Sequence, residues 1–226
     1  MKIGKLVVIE GTDGSGKTTQ INLLSQYLKE KNIDFEVLSF PQYGKNEYAN
    51  KIKDYLSGKF GGIHAIEVHE LAKIYADDRK TVRDLITGFL DSGKLVLANR
   101  YVSSSKAHLS AHIPENEKEE FIKWVDELEY KENGMPREDL TLLLNVDSKV
   151  GQENVLERSS HDIHEQNLDH LEKARKIFLE LSTRPADGGE KNNWVIINCM
   201  ENGEMRSPEE IQKDLLNKLS VLLSPS

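Results

Sequence analysis

Residues 11–19 read GTDGSGKTT, placed between an apolar run, Leu6–Glu10 (LVVIE), and a stretch of helical spacing, Thr18–Glu30. The first eight of these residues fit G-x-x-x-x-G-K-[ST], with Gly11, Gly16, Lys17 and Thr18 at the fixed positions. A β-branched strand that stops at glycine and hands over to a helix opens a βα unit of a parallel sheet. Gly14 and Gly16 let the backbone curl until successive N–H groups point at one anion, and the helix that follows adds its positive end. Lys17 is placed to reach the β- and γ-phosphates of a nucleotide, and the Thr18 hydroxyl to bind Mg²⁺. The loop residues Gly11, Thr12, Asp13, Gly14, Ser15, Gly16, Lys17, Thr18 and Thr19 therefore form the expected phosphate cradle. By itself the motif specifies a nucleotide and leaves the reaction open.

The rest of the chain repeats the alternation. Phe35–Phe40, Leu95–Ala98, Leu140–Val146 and Trp194–Asn198 read as further apolar strands. Helical spacing covers Glu47–Leu56, a long segment from about Ala65 to Ser92, Glu115–Glu129, Lys149–Arg158 and Asn167–Ser182. A last helix starts at Ser207-Pro208-Glu209-Glu210, where serine caps, proline takes the first turn and Glu210 completes a capping box. Apolar strands alternating with helices predict a three-layer α/β/α fold of the P-loop NTPase type, with a five-stranded parallel sheet. Residues 1–226 are expected to form a single domain. Ligands of such sheets sit at the carboxyl ends of the strands, where the motif residues fall.

Composition narrows the function further. The net charge of −8 argues against a non-specific nucleic-acid coat, which depends on lysine and arginine at phosphates. The lone cysteine, Cys199, has no internal partner and reads as a packed small hydrophobe in a reducing compartment. No apolar run approaches the roughly 20 residues of a membrane span, and the N-terminal apolar stretch is too short for a signal peptide. The expected setting is cytoplasmic, without membrane partners. His108 and His112 share a helical face and His161 and His164 flank Asp162, but without cysteines or an H-E-x-x-H pattern a zinc site is not expected.

No guanine-reading N-K-x-D occurs, and strand three ends in Asn99 where many ATPases place an acid. Four stretches then act together: FPQY at 40–43, IYADDR at 74–79, NRYVSSSKAH at 99–108 and RSSHDIHE at 158–165. Their order and separation behind the phosphate loop resemble the thymidylate kinases over nearly the whole chain. The resemblance implies transfer of a phosphoryl group from ATP to dTMP on the route to dTTP, with Mg²⁺, in a homodimer. It implies that Asp13 lies near the sugar hydroxyl and the metal, that Phe40, at the close of strand two, belongs to the acceptor-binding site, and that Tyr43 and Arg100 hold the acceptor phosphate. Tyr75 takes the place of the aromatic stacked on thymine, Arg79 that of the arginine bonding its O4. Ser104, Ser105 and His108 fall where the base edge is read and the 2′ position screened. The stretch 158–166 matches a mobile lid, with Arg158 joining Lys17 and Arg100 as a catalytic group.

Elementary physics is compatible with this. Positions 75 and 79 share a helix face, and an arginine fork pairs with a carbonyl on thymine but not with the amino group of cytosine. Read alone, Arg79 among Asp77, Asp78 and Lys80 equally describes a solvated salt-bridging face, and Tyr75 a core aromatic. Three residues depart from the family pattern: Asn99 for aspartate, Ser105 for a longer amide, and His108 for tyrosine. Two other readings stay open at this point. One is a kinase of the same architecture with another nucleotide or deoxynucleoside as acceptor; the other is a non-catalytic nucleotide-binding protein in which Asn99 marks a lost metal site.

Overall fold

The computed structural model describes residues 4–62, 64–156, 167–184 and 193–223. Strand β1 (Lys5–Glu10) leads through the glycine loop into helix α1 (Lys17–Glu30). Then follow β2 (Phe35–Ser39), α2 (Glu47–Leu56), α3 (Val68–Lys80), α4 (Arg83–Asp91), β3 (Leu95–Asn99) and α5 (Val102–Ser110). Helix α6 (Glu115–Asp126) runs into a π-helical turn (Glu127–Glu132) before β4 (Leu140–Asn145) and α7 (Ser148–Leu156). The remainder is α8 (Leu168–Ser182), β5 (Trp194–Asn198), a hairpin of β6 (Met200–Glu201) and β7 (Glu204–Met205), and α9 (Pro208–Leu223).

The five long strands form one parallel sheet in the order β2-β3-β1-β4-β5. Side chains alternate across a strand, so the apolar run Leu6–Ile9 of β1 requires cover on both faces. It has that cover. Leu6 and Val8 pack with Ile52, Tyr55, Leu71, Phe121 and Val125 on the side of α2, α3 and α6. Val7 and Ile9 pack with Leu24, Leu28, Ile211 and Leu215 of α1 and α9. Helix α8 closes the first side over β4 through Ile177, Phe178 and Leu143. Each such aliphatic side chain, fully buried, stabilises the fold by about 1.5–3 kcal/mol relative to exposure. The chain leaves β1 for one half of the sheet and returns through β4 to the other, which opens a crevice at the carboxyl end of β1.

Three features differ from the sequence reading. The helix expected from about Ala65 to Ser92 is two helices, α3 and α4. Gln42 Nε2 and the Thr81 hydroxyl both donate to the Asp78 carbonyl, at 2.8 and 2.7 Å, and Val82 N turns instead to the Arg79 carbonyl. A side-chain hydroxyl offering the backbone another partner is a usual way to end a helix. Residues 102–110, read only as a motif after strand three, form α5, and the hairpin at 200–205 was not foreseen. No helix among the described residues is long and apolar enough to cross a membrane.

Candidate active site

The phosphate loop is built from backbone. Gly11, Gly14 and Gly16 all have positive φ. Gly16 occupies the cap position of α1 without a capping side chain, and the first turn holds no acid, so the amides there face an open anion position. Lys17 is buried; its Nζ donates to the carbonyls of Gly11 and Thr12 at 2.9 and 2.8 Å and lies 3.4 Å from Ser15 Oγ. The loop thus folds around its own cation, which is in place before a phosphate arrives. Thr18 and Thr19 are exposed at the helix start. Helix α7 lies directly on the loop: a Cβ at Gly14 would sit 1.9 Å from the Gly151 carbonyl oxygen, and Asn154 Nδ2 donates to the Gly14 carbonyl at 3.0 Å.

Sheet register brings Arg100 to the loop. Ile9 lies opposite Asn99, and Arg100 N donates to the Ile9 carbonyl at 3.1 Å. Arg100 has φ of 65°, a left-handed backbone that side-chain-bearing residues seldom adopt, as is common where a site fixes a residue. Its Nη2 pairs with Asp13 Oδ1. Its Nη1 donates to Ser104 Oγ at 3.2 Å, approaches the Gly11 carbonyl at 3.4 Å and faces His108 Nε2 at 3.1 Å. Burial pushes the Asp13 carboxyl up, but the Arg100 and Lys17 charges outweigh it and hold the group well below the usual carboxylate range.

Beneath this pair sits Glu10, wholly buried at the end of β1. Its Oε1 accepts from the amides of Tyr101 and Ser104 at 2.9 and 3.1 Å, and its Oε2 from the Ser104 hydroxyl at 2.7 Å. Glu10 is therefore the acceptor that starts α5 and aims Ser104 at Arg100. Burial raises its pKa, against the Ser104 hydrogen bond and the Arg100 charge.

A cleft of about 540 Å³ of atom-free space, partly open to solvent, extends from this arginine. Asp13, Tyr43, Tyr75, Arg100, Ser104, Ser105 and His108 all line it, together with Pro41, Leu56 and Leu109. Two expected residues stand behind the wall. Phe40 is buried beneath Pro41, and Arg79 lies behind Ser105, to which its Nη2 donates at 2.7 Å. Arg79 is 1% exposed and its Nε donates to Glu129 Oε1 at 2.9 Å, which excludes the solvated salt-bridging face. Because the Ser105 oxygen accepts from Arg79, its own hydroxyl proton is available toward the cleft. Glu129 was missed in the sequence, as were Glu10, Leu56 and Leu109. A carboxylate ending an otherwise apolar strand was the available signal for Glu10; Glu129 gave none, being 50 residues from its partner.

The oxygen donors suit a hard cation: the exposed Thr18 hydroxyl, the Asp13 carboxylate and the amide oxygen of Asn99. Asn99 Oδ1 is buried and has no hydrogen-bond partner among the described residues. None of the described residues form a cluster of three or more His, Cys, Asp or Glu side chains able to hold a metal by themselves, so a cation here depends on phosphate oxygens as well. Arg158, His161, His164 and the expected lid at 158–166 lie outside the described residues.

Comparison with known proteins gives a consistent result. A family model described as thymidylate kinase matches residues 9–206. A thymidylate kinase of Desulfotalea psychrophila is 31% identical over 180 residues, covering 79% of this chain and 82% of the relative. One from Mycobacterium tuberculosis is 27% identical over 198 residues, covering 85% and 90%. A solved thymidylate kinase structure from Candida albicans superposes with a TM-score of 0.74 at 21% identity, covering 97% of this chain and 92% of that one, and so speaks for the fold.

Proposed function

The chain belongs to the thymidylate kinase family, and on that premise we propose that the cleft holds dTMP with its phosphate at Arg100, next to ATP in the phosphate loop. The reaction is ATP + dTMP → ADP + dTDP. The observation that carries the assignment of roles is the Asp13–Arg100 pair: one guanidinium contacts the phosphate loop through Asp13 and Gly11 while lining the acceptor cleft.

The acceptor phosphate is anionic near neutral pH, so no strong base is needed; the difficulty is bringing two anions together. Positioning and charge neutralisation are left to do the work. Lys17 and the loop amides hold the donor phosphates. Arg100 and Tyr43 hold the acceptor phosphate, Tyr75 stacks on the base, and Ser105, backed by Arg79, offers a proton to a base carbonyl. Magnesium, when bound, neutralises charge on the β- and γ-phosphates; the Thr18 hydroxyl and, once parted from Arg100, the Asp13 carboxylate are the residues to hold it. Arg158 is proposed as a further cation brought in by a lid. The resemblance that implies the reaction also implies a homodimer in the cytoplasm. Ala72 and Ile74 are core residues of the single chain, so a dimer uses other surface, and light scattering on the purified protein tests it.

A coupled ADP-release assay with ATP and Mg²⁺ tests the reaction, with dTMP, dUMP, dCMP, UMP and no acceptor run side by side. Turnover that needs dTMP and falls by on the order of 10²–10³ in Lys17→Ala is expected. ADP release indifferent to the acceptor would sink the reading.

A further inference from the structure

His108 presents both ring nitrogens to named partners. Its Nε2 lies 3.1 Å from Arg100 Nη1, and its Nδ1 lies 3.2 Å from Nε2 of His170, in the first turn of α8. His170 is 2% exposed, and its backbone amide is capped by Asn167 Oδ1 at 3.1 Å. The rings are held on their faces too: Phe178 meets His108 edge-on at 5.8 Å, and His112 stacks on His170 at 4.6 Å and 10°.

The protons in this chain follow from chemistry. A guanidinium only donates, so the nitrogen of His108 facing Arg100 must accept. A neutral imidazole that accepts at Nε2 carries its proton at Nδ1, and that proton then points at His170, whose Nε2 must accept in turn. Which ring nitrogen is protonated is set by the partner of the other. Arg100 therefore selects the tautomer, and an accepting His170 Nε2 stabilises it. Asp13, across Arg100, also faces His108, and Glu10 faces Arg100; Lys173 and His64 face His112 on the far side.

We propose that His170 is a positioning residue for phosphoryl transfer: it fixes His108 as the neutral Nδ1–H tautomer, so that Nε2 accepts from Arg100 and holds the guanidinium between Asp13 and the acceptor cleft. The proposal rests on the assignment of Arg100 to the acceptor phosphate. It gives the histidine that stands in place of the family's tyrosine a task, and explains why a second buried histidine lies behind it.

Two measurements test it. In protein labelled with ¹⁵N-histidine, long-range proton–nitrogen correlation reads the tautomer of each ring, with His108 assigned from His108→Gln. At neutral pH the expected pattern for His108 is a protonated Nδ1 and a bare Nε2; an Nε2–H ring or an imidazolium would overturn the proposal. This needs no catalysis and no altered His170, so it stands whether or not dTMP is the acceptor. In the kinetic arm, His170→Leu is expected to lose on the order of tenfold in kcat/KM for dTMP with KM for ATP unchanged. His170→Gln, whose amide oxygen can accept the same proton, is expected to recover most of the loss. If both variants match wild type, or both are equally impaired, His170 is merely structural and the proposal fails. Absence of dTMP turnover in wild type would sink the functional reading while the tautomer still decided the role of His170.

Discussion

Arg79 and Glu129 are opposite charges buried side by side, each almost without exposure. Removing one partner of such a pair leaves the other uncompensated in a poorly solvating interior. Glu129→Gln is therefore expected to lower the unfolding free energy by about 3 kcal/mol, read from the urea midpoint. A second prediction concerns His112. Burial, then the neighbouring His64 and Lys173 charges, lowers its pKa to about 4 from 6.5. Between these values the unfolded chain binds more protons at this residue than the folded one, so acidification through that window removes stability. Wild type should lose stability relative to His112→Phe as pH falls from about 6.5 to about 4, in paired denaturation curves at each pH. Residues of this kind explain what was legible in the sequence and what was not. Lys17 sits in a local pattern that announces a phosphate and Arg100 directly follows a buried strand, whereas Tyr75 was placed only by the family resemblance. Glu10, Glu129 and His170 act on partners 91, 50 and 62 positions away, and no local pattern records such a pairing.

Among the elements, those with strong periodicity or β-branched runs were readable, and those held by distant acceptors were not. Val102–Ser110 has three consecutive serines, which favour caps and turns over helix interiors. It is helical because Glu10 accepts its first amides and because Ser103, Ser104 and Ser105 are all buried. The α3–α4 boundary was hidden for a related reason: the chain runs apolar at helical spacing through Thr81, and the break needs Gln42, brought in from the loop after β2, beside the Thr81 hydroxyl. Helix α7 gives a prediction at this scale. A Cβ at Gly151 would stand 2.8 Å from the Asp13 carbonyl oxygen, so Gly151→Ala must push the helix away from the phosphate loop. The expected outcome is a rise of about tenfold in KM for ATP, with a smaller change for dTMP, measured in initial-rate kinetics.

For the whole molecule the sheet order sets the site. Five apolar runs could be counted in the sequence, but the order β2-β3-β1-β4-β5 is a tertiary fact. It is this order that places β1 between β3 and β4 and so sets Arg100 against the phosphate loop. A chain of net charge −8 can still take two anions, since Lys17 and Arg100 stand together where β1 and β3 end. Each ligand that binds only the folded chain should stabilise it by mass action. With dTMP at a hundred times its Kd, the expected gain is about 2.7 kcal/mol, visible as a rise in Tm that Arg100→Ala abolishes.

Where Gly14 meets Gly151, backbone touches backbone. Two such positions behave as one heritable unit. A lineage that acquires a side chain at either place must first move α7, and until it does every single-step replacement there is a loss. The loop and helix α7 are thus bound to change together, though the two glycines stand 137 positions apart in the sequence.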